Sequence, residues 1–303
     1  MGTRIIKFIF FGNYFIGILA IALCVETSFQ LRLPFNLPEY YAILFCGTIM
    51  YYTYAYSGLP QSFTYTNARS DWYRKHKVFV KWSQLFFLLA FILLGIFLLW
   101  QIWTNLLHLK LIYWLIIISI PVAALLYYGM MPKSFLRLNL RNTGWLKAFV
   151  IGFVWACCVS LLPVVMLQLE HGNYFADPVL LIWLFTKNWM FCTVNAIMFD
   201  LKDYADDSNK HLKTFVVRFG LRKTINYILI PLLLIGIGCT LAFTHYRRFS
   251  ILPVFINLLP FILLLAVAYA MHRKRSILFY LIVIDGLLLV KAICGIIAMQ
   301  FVT

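Results

Sequence analysis

Apolar residues run through this chain in long stretches separated by short polar segments. Nine such stretches stand out, at about 5–25, 39–58, 82–103, 109–131, 145–168, 178–200, 224–244, 250–270 and 277–300. A run of roughly 20 apolar residues has the length that crosses the hydrocarbon core of a bilayer as a helix. Lipid offers the backbone no hydrogen-bond partners, so each stretch is predicted to be helical. The pattern predicts an all-α integral membrane protein, a nine-transmembrane-helix bundle forming a single domain over 1–303. The longest gap, about 59–81, is too short to bury a core of its own. The first stretch follows Met1–Lys7 as a signal peptide would, but no small-residue cleavage site precedes Glu26. A retained first helix is therefore predicted.

Composition agrees with that pattern. Apolar residues make up 63% of the 303 and charged ones only 12%, against about 25% charged in soluble domains. An ordinary soluble enzyme and a disordered tail are excluded on this ground. The net charge of +16, from 26 Lys and Arg against 10 Asp and Glu, would suggest nucleic acid in a soluble protein. Here the basic residues alternate from loop to loop. Twenty fall at the N-terminus and in the loops on its side of the membrane, and four (Arg32, Lys110, Arg247, Arg248) on the other side. Positive residues stay on the cytoplasmic side, so the N-terminus is predicted to be cytoplasmic and the C-terminus outside. A bacterial inner membrane is the expected location, and no nucleic-acid partner is expected. The seven cysteines lie in apolar runs without CxxC pairs, as packing residues do.

Chemistry concentrates in one place. Four of the ten acids, Asp200, Asp203, Asp206 and Asp207, fall within eight residues at the end of the sixth stretch. If the helix continues there, Asp200, Asp203 and Asp207 share a face, and three carboxylates together repel unless a cation neutralises them. A hard divalent cation such as Mg2+ suits them, because it binds one or two carboxylates plus substrate phosphate oxygens. Lys202, Lys210, Lys213 and Arg218 surround the group, and cations beside metal-binding acids suit a diphosphate. A solvated acidic turn paired to its basic neighbours is the alternative reading.

With its nine spans and an Asp-rich loop after the sixth, the chain resembles the UbiA superfamily of intramembrane prenyltransferases. The second Asp-rich motif of that family runs Asp, two residues, Asp, three residues, Asp, with a Thr or Ser seven residues on and a Gly shortly after. Asp200, Asp203, Asp207, Thr214 and Gly220 keep that register, and Asn195 suits it. The resemblance implies a bundle that holds a prenyl diphosphate and, with Mg2+, transfers the prenyl group to a lipid-soluble acceptor in the membrane. It implies Asp203 and Asp207 as catalytic metal ligands with Asp200 beside them, and Arg69, Lys147, Lys210, Lys213 and Asn195 as diphosphate contacts. The chain departs from the family in its first motif. Residues 54–70 hold no acid, leaving Asn67 and Asp71 as substitute ligands, and His211 stands where a Gly is usual. Asn188 is a further candidate on the face of Asn195.

That departure keeps two other readings open: a catalytically silent relative that binds isoprenoid lipid or a partner, and a transporter. Lys187, Asp285 and Lys291 would mark the path of the latter, since ionisable groups inside spans are costly and functional by default. Lys291 is expected to snorkel toward the surface. Tyr51, Tyr52, Tyr54 and Tyr56 read as an interfacial aromatic belt.

Overall fold

A computed structural model describes residues 2–57, 68–128, 144–172, 176–202, 214–271 and 276–302. Helix forms along all of the apolar stretches. We number the helices α1 (Gly2–Phe11), α2 (Tyr14–Leu31), α3 (Pro38–Ser57), α4 (Ala68–Lys75), α5 (Lys77–Leu107) and α6 (Leu111–Tyr128). After these come α7 (Gly144–His171), α8 (Pro178–Lys202), α9 (Phe215–Phe219), α10 (Leu221–Tyr246), α11 (Ile251–Ala270) and α12 (Ile277–Gln300). Among the described residues, seven helices are long and apolar enough to cross a membrane: α2, α5, α7, α8, α10, α11 and α12. The chain is thus all-helical there and compatible with a multi-pass membrane protein.

Helices also occupy the second and fourth predicted spans, but they fall short of that standard. α3 carries six tyrosines and Glu39 over its 20 residues, which lowers its hydropathy. The described part of α6 is apolar, and the residues that follow it, 129–143, lie outside the described residues.

The first predicted span is not one helix. It breaks at Gly12–Asn13, where Asn13 adopts the left-handed conformation with φ 65°, one that Asn tolerates better than most residues. The carbonyl of Phe11 at this break accepts hydrogen bonds from Tyr73 Oη (2.9 Å) and Arg69 Nη2 (3.5 Å). Asn13 Nδ2 donates to Thr53 and Tyr73, each at 3.0 Å. The short, separate α1 is then held by a cluster of Phe11, Trp72, Tyr73, Val80 and Leu281, with Phe199 against it.

Most helices that follow one another pack as neighbours, α5 and α6 being an exception, and α12 returns to pack on α2. The main core lies between α2, α7, α8, α10, α11 and α12. One face of α7 makes its closest packing possible: Gly144, Ala148, Gly152 and Ala156 recur every four residues and are buried. Small residues at this spacing let two helices approach closely. A Cβ built on Gly152 would stand 2.8 Å from the backbone nitrogen of Thr193 on α8.

Two prolines shape the long helices. Pro163 has no N–H to give Val159, and just before it the helix widens to a π-turn, Cys157–Leu161, in which Leu162 N–H bonds Cys157 O. The carbonyls of Cys158 and Val159 are released from the ladder. Residues of α2 take them up: Thr27 Oγ1 donates to Val159 O at 2.7 Å, and Cys24 Sγ to Cys158 O at 3.5 Å. Pro231 in α10 follows a second π-turn, Ile225–Leu229, by the same logic.

Candidate functional site

Two polar clusters are built on α8, one at its C-terminal end and one near its middle. Asp200 and Lys187 are separated by about 20 Å of helix.

At the Asp200 end, the last turns of α8 meet the first turn of α7. Asp200 is 2% exposed, and its Oδ1 accepts from Lys147 Nζ at 2.7 Å. Two residues expected to handle metal and diphosphate, Asp200 and Lys147, are therefore brought together. The next described residue after α8 is Thr214, whose Oγ1 accepts from Val217 N at 3.4 Å and caps α9. α9 ends at Gly220, where φ is 77°. Glycine reaches that region without the steric penalty of a Cβ. The Thr–Gly part of the motif thus has a local explanation: it starts and stops a one-turn helix.

The other expected ligands are distributed differently. Asp203, Asp207, Lys210, Lys213 and Asn67 lie outside the described residues. Asn195 is buried and its Nδ2 donates to the backbone carbonyl of Ile284 on α12 at 2.7 Å. Asn188 donates to Ser160 Oγ at 2.7 Å, next to the π-turn. Both amides therefore join helices. Arg69 is buried on α4 with its guanidinium against Phe11 O and Asn13 Oδ1. Asp71 pairs with the exposed Arg74 at 2.5 Å. Of the four tyrosines of the expected belt, Tyr54 is exposed, whereas Tyr52 Oη accepts from Trp155 Nε1 at 2.7 Å.

Among the described residues no group of three or more His, Cys, Asp or Glu could hold a metal ion. Asp200 alone fits a hard cation by type, as a buried carboxylate, and one carboxylate with phosphate oxygens is within what Mg2+ accepts.

Near the middle of α8 sits a cluster that sequence reasoning only half found. Glu26 on α2 is 1% exposed. Its Oε1 accepts from Lys187 Nζ on α8 at 3.3 Å, and its Oε2 from Lys291 Nζ on α12 at 2.6 Å. Lys291 therefore does not snorkel. It is 3% exposed, short of the surface, with its ammonium also 5.8 Å from the centre of the Phe191 ring. The close carboxylate and the aromatic face outweigh the solvation it would gain by stretching outward. Gly295 makes room, since a Cβ there would stand 2.5 Å from Glu26 Cγ.

A shell of amides surrounds this triad toward the Arg32 end. Gln30 Nε2 donates to Asn257 Oδ1 at 3.0 Å and to Gly295 O at 2.9 Å. Arg247, just past the end of α10, donates to Gln30 O at 3.0 Å. Burial and the neighbouring Arg32 push the Arg247 guanidinium below its ordinary value, while Asp177 works the other way. The sequence signal for Glu26 was its spacing: Gln30 follows one turn later on the same face, and both are polar in an otherwise apolar neighbourhood.

Compared with family models, curated proteins and solved structures, the chain matches none.

Proposed function

We propose that the protein is an intramembrane prenyltransferase of UbiA type, acting at the Asp200 end of the bundle. The observation that carries this reading is the buried Lys147–Asp200 pair. It lies where α8 runs into the Asp203–Asp207 stretch, so an acid and a cation converge beside an apolar interior. Bound Mg2+ would supply charge neutralisation for a departing diphosphate. Asp200 would be one of its ligands, with Asp203 and Asp207 as the others. Lys147 orients the Asp200 carboxylate and adds positive charge for the diphosphate. The apolar helices hold the prenyl tail and keep water from the reacting carbon. The acceptor is a lipid-soluble molecule that reaches the site from the bilayer, and the protein works in a membrane with the Asp200 end cytoplasmic.

The test uses purified full-length protein in detergent with magnesium and labelled prenyl diphosphates. Release of diphosphate is the expected result, and Asp203→Asn with Asp207→Asn should abolish it. Absence of release from every chain length overturns the reading.

A second reading is favoured by Asp71 and Arg69. Asp71, a substitute ligand for the missing first motif, is engaged with Arg74, and Arg69, an expected diphosphate contact, with the end of α1. On that reading the protein binds an isoprenoid diphosphate without turnover. Saturable magnesium-dependent binding with no product would select it. A transporter would instead move substrate across vesicle membranes in a manner dependent on Asp285.

A further inference from the structure

We infer that the Glu26–Lys187–Lys291 cluster is a binding site for a halide-sized monovalent anion. The inference is independent of the prenyltransferase reading, because the cluster lies about 20 Å along α8 from Asp200.

Charge arithmetic comes first. In their ordinary ionised forms, two ammonium groups face one carboxylate, leaving the cluster with one excess positive charge. Glu26, Lys187 and Lys291 are 1%, 4% and 3% exposed. An uncompensated charge at such a depth is strongly unfavourable. The other ionisable groups of the surrounding helices do not balance it. Asp285 lies six residues from Lys291, about 9 Å along α12 and a third of a turn round it, on the side where Tyr52 is its neighbour. On the opposite side the next charges are Arg247, which bonds Gln30 one turn beyond Glu26, with Arg32 and Asp177 near it. Two of these three are positive.

Hydrogen bonding points the same way. Each ammonium has three donors. Lys187 and Lys291 each give one to Glu26, and the remaining four meet no acceptor among the described residues. Water could accept these bonds but would leave the charge. A small anion does both. Arg32 and Arg247 add positive charge on the Gln30 side of the cluster, partly offset by Asp177. The two lysines differ in grip. Lys291 is held at 2.6 Å and over Phe191, and Lys187 at 3.3 Å. Lys187 is thus the freer donor for the anion.

The experiment measures the thermal unfolding midpoint of the full-length protein in detergent, in sodium chloride and in sodium gluconate at equal ionic strength. Gluconate is much larger than a halide and serves as the control anion. Chloride should raise the midpoint in a saturable manner. Lys187→Met leaves a neutral Glu26–Lys291 pair and should lose the chloride response. Glu26→Gln doubles the excess charge and should enlarge it. Where a variant does not fold, bromide-soaked crystals of the unaltered protein serve, with an anomalous peak expected within hydrogen-bond distance of Lys187 Nζ. Equal midpoints in the two salts, a chloride response that survives in Lys187→Met, or crystals without that peak would each overturn the inference.

Discussion

The two polar clusters of α8 solve the same problem in different ways. At the Asp200 end the ion pair among the described residues joins one acid to one base, and Lys147 keeps a fifth of its side chain exposed. The pair sits near the last turn of α8. At the Arg32 end one acid meets two bases, all three nearly inaccessible and supplied by α2, α8 and α12. The first arrangement is cheap and accessible, suited to receiving a charged head group. The second is costly and enclosed, and such groups are retained in membrane proteins where they bind something or fix a unique packing. The difference shows that burial alone does not mark a site. Stoichiometry of charge and access to solvent carry the distinction.

Perturbing each cluster should separate them. Glu26→Gln removes the single counter-charge from two buried lysines. It should have the largest effect, a loss of about 3–5 kcal/mol of stability, measured by unfolding in mixed micelles. A smaller loss than that of Lys147→Met would break the comparison. Gly295→Ala forces a methyl against Glu26 and should cost about 1–3 kcal/mol while leaving binding of diphosphate at the far end unchanged. Lys147→Met should cost about 1–2 kcal/mol, reduced because its site is partly solvated. Unlike Gly295→Ala, it should weaken prenyl diphosphate binding in equilibrium dialysis. Thr27→Val removes one hydrogen bond to the π-turn and should cost about 0.6–1.5 kcal/mol, the smallest change, visible as a modest fall in Tm.

Much of this organisation was legible from residue pattern, and the failures have physical causes. Span positions followed from apolar run length, which reports burial in lipid directly. The same reasoning ended the first span at Val25, whereas α2 continues to Leu31. Glu26, Thr27, Ser28 and Gln30 read as a polar exit, but Thr27 and Gln30 have partners on other helices. Local pattern cannot distinguish a solvated residue from one satisfied across the bundle. The Gly12–Asn13 break carried a recognisable turn signal that the surrounding apolar run concealed. Lys187 and Lys291 were identified as in-span charges, yet their shared partner stood 161 and 265 positions away in sequence. At the Asp200 end, the acid cluster drew attention to Asp200, while the pairing with Lys147 depended on how α7 lies against α8.

The route by which α12 closes onto α2 bears on how this molecule is made. Glu26 is synthesised well before its second lysine, which stands 265 positions further on in α12. Until then the carboxylate has at most half its neutralising set, and α2 gains little by settling into the bilayer alone. Biogenesis should therefore keep α2 beside an insertion chaperone or in a hydrated channel, with its lateral release waiting on the arrival of α12.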